Sequence, residues 1–166
     1  MRQYLPQNID KIDRAILEAL QRDASVSTTE LAKRVGLSIS PCWRRIRRLE
    51  SLGVIRERVA ILDRDRLGFE VTVFASLKLS SHGRQSLVEC EQAIASFPEV
   101  MESYAMTGDV DYLLKVVTRD IRAYERFLRE RLLQLPFVRE VHSQIALSQL
   151  KYTTRLPLES LASDAD

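Results

Sequence analysis

The sequence predicts an α+β chain in two parts, a small helical head followed by a β-α-β-β-α-β domain. Three observations predict it. Residues 28–52 carry two helical periodicities broken by a tight turn at Gly36. Residues 71–79 switch to strict alternation. Charge divides with the pattern: residues 1–62 hold 12 Lys and Arg against 7 Asp and Glu, and residues 63–166 hold 13 against 16. A chain of 166 residues has room for two small domains. The expected boundaries are a head over 8–62, a join over 63–69, a second domain over 70–154 and a tail over 155–166.

The head opens with Asp10, which can cap a helix whose Ile12, Ala15, Ile16, Ala19 and Leu20 recur at helical spacing. Thr28 or Thr29 can cap the next helix, with Glu30 against its positive end and Leu31, Ala32 and Val35 on one stripe. Gly36 suits the left-handed residue that ends a helix. Ser38 and Ser40 offer two N-caps for a third helix, and Pro41 fits its first position. At about 100° per residue, Cys42, Ile46 and Leu49 share one side. Arg44, Arg47 and Arg48 point broadly the other way, Arg45 lies at the edge of the buried stripe, and Trp43 flanks that stripe and packs against it.

This is the layout of a helix-turn-helix that reads duplex DNA, with its reading motif over 28–52. The bland alternative is a solvated charged face. Only Glu50 stands near the arginines in sequence, so the usual pairing of signs on a surface helix is missing. Arg44, Arg45 and Arg48 are candidates for base or phosphate contacts, with Ser38, Ser40 and Arg47 positioning the phosphate backbone. The β-prone run from Val54 to Leu62 reads as a wing that places Arg56 and Arg58 near phosphates.

After the charged join DRDRLG, Val71, Val73, Ala75, Leu77 and Leu79 alternate with Thr72, Phe74, Ser76 and Lys78 as in a strand. A helix with Leu87, Cys90, Ile94 and Phe97 on one side ends at Pro98. Strands over 100–107 and 111–118 flank a turn at Gly108, Asp109 and Val110. Asp120 caps a helix carrying Ile121, Tyr124, Leu128, Leu132 and Leu135, ended by Pro136, and a last strand runs over about 138–150. The order is that of a split βαβ, ferredoxin-like domain. Its uncovered sheet face, expected to carry Phe74, Leu77, Tyr104, Met106, Leu114, Val116, Ile145 and Leu147, is too apolar to stay wet. Self-association is the simplest cover, and a twofold dimer would match a pseudo-palindromic operator.

Several classes are disfavoured. No apolar run approaches the roughly 18 residues that span a membrane, and no signal peptide is visible. Cys42 and Cys90 read as small buried hydrophobes. His82 and His142 lack metal-ligand spacing, and no P-loop, GxGxxG, GxSxG or HExxH occurs, which argues against an enzyme. The cytoplasm, in association with the nucleoid, is the expected compartment.

The order and spacing of several segments carry a family resemblance. DxxDRAIL from Asp10, LAKRVGLSISPCWRRIRRLESLGVI from Leu31, MTGDVDYLL from Met106, FVREVHSQIALSQLK from Phe137 and KYTTRLPL from Lys151 together resemble the Lrp/AsnC, or feast/famine, transcriptional regulators. PCWRRIRRLE and KYTTRLPL are most similar to the L-cysteine-responsive branch. The resemblance implies a winged helix-turn-helix and a carboxy-terminal effector domain, called RAM, that dimerises through its sheet and assembles to tetramers or octamers. It implies no cofactor beyond a small effector, an amino acid such as L-cysteine or a branched-chain amino acid.

The family's Gly-Asp-x-Asp ligand loop aligns with Gly108, Asp109 and Asp111, with Tyr104, Met106 and Thr107 as lining. Glycine would let amides approach a carboxylate, and an aspartate could receive the ammonium of a zwitterion. The competing reading is an ordinary hairpin turn with solvated aspartates. The function expected is a sequence-specific transcriptional regulator whose DNA affinity or assembly follows an amino-acid effector; the alternative is a nucleoid-organising DNA binder of low specificity.

Overall fold

A computed structural model describes residues 9–80 and 84–159. The chain divides into two compact units, one up to Ile61 together with the segment from Lys151, and one from Leu62 to Leu150. The segment 151–159, which the sequence reading divides between the second domain and a tail, thus lies with the head.

The first unit holds α1 (Lys11–Arg22), α2 (Thr28–Arg34) and α3 (Ile39–Ser51). Asp10 caps α1 in a reciprocal box with Asp13. The cap of α2 is Ser27, whose hydroxyl accepts from the Glu30 amide at 3.2 Å, rather than Thr28 or Thr29. Both threonines lie inside the helix, at its first and second positions, past the N-cap. Ser38 is the N-cap residue of α3 and makes no side-chain capping bond, so Ser40 and Pro41 fall at the second and third helical positions. Gly36 at φ +70° and a Leu37 amide bonded to the Ala32 carbonyl turn the chain between α2 and α3.

Ile16, Leu17, Leu31, Ala32, Cys42, Ile46 and Leu49 form the core of this unit, and Leu158 joins it from the far end of the chain. The run after Gly53 does not form a strand. Val54 and Ile55 donate to the Leu49 carbonyl and pack against the core, while residues 56–62 are exposed and unpaired by any described strand. An extended segment needs a neighbouring backbone to become a ladder, and this unit contains no other strand among the described residues.

The second unit contains β1 (Val71–Leu79), α4 (Arg84–Ser96), β2 (Val100–Ala105), β3 (Tyr112–Thr118), α5 (Ile121–Glu130), a 3₁₀ turn (Leu132–Gln134) and β4 (Val138–Ile145). The sheet order is β2-β3-β1-β4, and every pairing is antiparallel. β4 stops short of residue 150 because its partner β1 begins at Val71: Val73 pairs Ile145, and the last contact is Ala146 N to Thr72 O.

Val73, Ala75, Leu77, Leu79, Leu114 and Val116 lie in the core with Cys90, Ile94, Tyr124 and Phe127. Leu77, Leu114 and Val116 therefore belong to the covered face, not to the open one expected from sequence. Strand parity decides this, since Leu114 pairs Ala75 and both must share the side of Leu77. Ile145 shares the parity of Val73 too, although it is exposed at the sheet edge. The open face is more polar than expected. Phe74 opposes Lys115, which reaches Glu102 at 2.7 Å, and the Tyr104 hydroxyl donates to the same carboxylate at 2.6 Å.

Candidate nucleic-acid interface and effector loop

Cys42, Ile46 and Leu49 fix one side of α3 in the core, so Ile39, Ser40, Trp43, Arg44 and Arg47 stand on the outer side. Trp43 is half exposed, contrary to the packed position expected for it, and the Arg47 guanidinium lies over its ring at 5.7 Å.

The arginines separate into different roles. Arg45 reaches back to α1, bonding Asp10 at 2.6 Å and Asp13 at 2.9 Å, and Arg48 bonds the second oxygen of Asp13. Asp13 has no exposed surface. Arg47 and Arg58 both reach Glu50 at 3.2 Å. The ridge is thus not short of counter-charge: Asp10 and Asp13 stand 32 to 35 positions away in sequence and meet it in space. Sequence reasoning gives Asp10 a cap's role and Asp13 none, and the only signal was an Asp-x-x-Asp spacing ahead of an arginine-rich helix.

Arg44 alone among the four arginines of α3 makes no ion pair or hydrogen bond among the described residues. With Asp10, Pro41, Arg45 and Arg48 it lines a shallow polar concavity beside the helix. The Asp13 amide above all, and then the Arg45 guanidinium, hold the Asp10 carboxyl below its ordinary value against a contrary effect of burial. The hydrogen bonds to Asp13 and Asp10 raise the Arg45 pKa in turn. Both groups are locked in their charged forms.

In the second unit the loop between β2 and β3 places Met106, Thr107, Gly108 and Asp109 at the surface, and Tyr104 stands exposed on β2 just before it. Gly108 adopts φ +108°, a conformation side-chain-bearing residues rarely take. Asp111 turns inward. Its carboxylate accepts the Leu79 amide at 2.7 Å, its amide donates to the Leu77 carbonyl at 2.9 Å, and its carbonyl accepts the Met106 amide at 2.9 Å. These bonds tie the loop to the end of β1 and occupy one carboxylate oxygen that the sequence reading offered to a ligand. Beneath it, burial first, and then the charges of Glu91 and Asp111, push the Cys90 thiol up to about 11.

No group of His, Cys, Asp and Glu that could hold a metal occurs among the described residues, and no helix among them is long and apolar enough to cross a membrane.

The winged helix-turn-helix DNA-binding profile matches residues 9–56, and the Lrp/AsnC ligand binding domain profile matches residues 72–156. The chain belongs to the Lrp/AsnC family. Among Lrp/AsnC relatives, the transcriptional activator DecR of Escherichia coli K12 is 36% identical over 151 residues, covering 91% of this chain and 99% of its own. The regulator AzlB of Bacillus subtilis is 38% identical over 153 residues, covering 92% and 98%. An AsnC family regulator from Agrobacterium tumefaciens superposes with a TM-score of 0.87 at 47% identity, covering 92% and 99%. A Neisseria meningitidis regulator, solved as its L-methionine complex, gives a TM-score of 0.87 at 33% identity, covering 92% and 98%. The chain is a DNA-binding transcriptional regulator of the Lrp/AsnC type, with a winged helix-turn-helix and an α/β ligand-binding domain. DecR and AzlB are both transcriptional regulators.

Proposed function

We propose that the outer side of α3 reads an operator in the major groove and that an amino acid bound at the β2-β3 loop modulates the reading. The observation that carries the first half is the uncompensated Arg44 on a helix face that also presents Ser40 and Arg47. Arginine's planar fork suits a guanine edge or a phosphate, and Arg44 can take either without breaking an internal pair. Arg45 and Arg48 act chiefly by holding α3 against α1, and Ser38 and Ser40 lie where a helix start can meet a phosphate.

The effector half rests on Gly108 and Asp109. Gly108 permits close backbone approach, and the Asp109 carboxylate is exposed for an ammonium group. Relatives from Neisseria meningitidis and Mycobacterium tuberculosis were solved with L-methionine, which puts that amino acid first in a screen, ahead of L-cysteine and the branched-chain set. The relatives compared do not single out the cysteine-responsive branch.

A homodimer, or a tetramer or octamer built from it, would duplicate α3 for a pseudo-palindromic site. The apolar unpaired residues Val59, Ile61 and Leu62, with Phe74 and Tyr104 on the open sheet face, support such assembly. Work in the cytoplasm on nucleoid DNA accords with this role. No comparison favours the nucleoid-organising alternative.

The test is anisotropy with a duplex selected from a random-sequence pool by the full chain. Tight binding that unrelated duplexes fail to displace is expected; equal competition by any duplex would transfer the reading to the alternative. A thermal-shift screen of amino acids tests the effector, since a ligand of the folded state raises its melting temperature.

A further inference from the structure

Ile39 and Trp43 are the two large apolar side chains on the outer side of α3, and each is 53% exposed. They lie one helical turn apart along the border between the Cys42, Ile46 and Leu49 stripe, which holds the helix in its core, and the outer face that carries Ser40 and Arg47. The Trp43 ring is also held in place. The Arg47 guanidinium lies over it at 5.7 Å and is itself anchored on Glu50 at 3.2 Å.

We infer that Ile39 and Trp43 form an apolar edge that discriminates thymine by its 5-methyl group in the major groove. The occupant is identified by charge and by shape. Arg44, next to Trp43 in the chain, has no partner among the described residues, and the head as a whole is cationic, so the surface that meets this edge is anionic. Among base edges in the major groove, only thymine presents an apolar group, its methyl. Arg44 supplies attraction that any sequence satisfies through a phosphate, whereas the Ile39 and Trp43 edge supplies preference. This deepens the proposed DNA reading and depends on it.

The experiment uses the full chain and a duplex that it selects from a random pool, remade with each thymine in turn replaced by deoxyuridine, which pairs identically but lacks the methyl. The expected result is a loss of about fourfold in affinity at one thymine per half-site, the worth of one buried methyl. In Trp43→Ala the same replacement should change affinity by less than about 1.5-fold, and Ile39→Ala provides the second variant at the helix start. Trp43 is the only tryptophan, so its emission gives an independent readout: the selected duplex should protect it from acrylamide quenching. Duplex binding with no deoxyuridine penalty at any thymine, or with the full penalty kept in both variants, overturns the inference while leaving the DNA reading intact. Protection that grows with protein concentration without DNA would assign the edge to a second copy of the chain and overturn it as well. Failure to select any duplex would sink the DNA reading itself.

Discussion

Asp13 in the first turn of α1 accepts a 2.9 Å bond from Arg45 in the middle of α3, and the acceptor has no exposed surface. A buried carboxylate is costly unless its lone pairs are filled, and here the guanidiniums of Arg45 and Arg48 take one oxygen each. The pairing therefore specifies how α3 lies on α1 more than it adds stability, and it engages two of the four arginines of α3 within the unit.

Asp13→Asn should lower the stability of the first unit by about 2 kcal/mol, less than the roughly 3–5 kcal/mol usual for a broken buried pair because the arginines left behind can turn to water. Urea unfolding followed by Trp43 emission reads this unit alone. The released arginines should also steepen the dependence of DNA affinity on salt by about one unit of slope. An unchanged midpoint and slope would mean that the ion pair neither orders the helix nor restrains its charge.

Arg44→Ala and Arg45→Ala should part company. The first should flatten the salt slope by about one and leave the unfolding midpoint where it was, since Arg44 has no partner among the described residues. The second should lower the midpoint, because it strips a donor from Asp10 and Asp13. Identical behaviour of the two variants in both assays would refute the division of roles.

In the effector loop, Asp109→Ala should abolish the thermal shift given by whichever amino acid stabilises the wild type, with no change in the unliganded melting temperature. Gly108→Val should abolish it too and cost about 1–2 kcal/mol, because a β-branched residue is strained at φ +108°. Asp111→Asn should act on folding first, through the Leu79 amide that its carboxylate accepts. A wild-type ligand response in Asp109→Ala would remove that carboxylate from the site.

Leu158 is buried among Ile16, Leu31 and Leu49, and Gln21 brackets the Leu156 backbone, accepting its amide at 2.6 Å and donating to its carbonyl at 3.3 Å. Leu158→Ala should destabilise the first unit by about 2–3 kcal/mol, read by Trp43 emission in urea. An unaltered midpoint would show that the terminal segment is not part of this core.

Alkaline pH should weaken the second unit. Burial raises the Cys90 thiol from an ordinary 9.0 to about 11, so the folded state keeps its proton where the unfolded chain gives it up. The stabilisation is complete below pH 9 and is lost as pH rises through 11, an effect of up to about 3 kcal/mol. Iodoacetamide at pH 8 should label neither Cys90 nor the likewise buried Cys42 until urea unfolds the chain. Rapid labelling of Cys90 in the native protein would contradict its burial.

Most of the fold was legible in the sequence because its signals are local. The Asp10 and Asp120 caps, the glycine at 36, the proline at 98 and the change of period near Val71 each act within a few residues, whereas α5 ends at Glu130, well before the Pro136 expected to end it, and Leu132 falls in a 3₁₀ turn. The local signals determined the three helices of the head and the β-α-β-β-α-β order that follows. The tertiary structure alone decided which groups are available. Arg45 and Arg48 are spent on a carboxylate in another helix, Trp43 is left outside a filled stripe, Leu77, Leu114 and Val116 are turned inward by strand parity, and Asp111 is drawn under its own loop. Charge pairing and sheet register depend on what lies across space, so residues alike in type and spacing, such as Arg44 and Arg45, end in opposite settings, one without a partner among the described residues and one bound to Asp10 and Asp13.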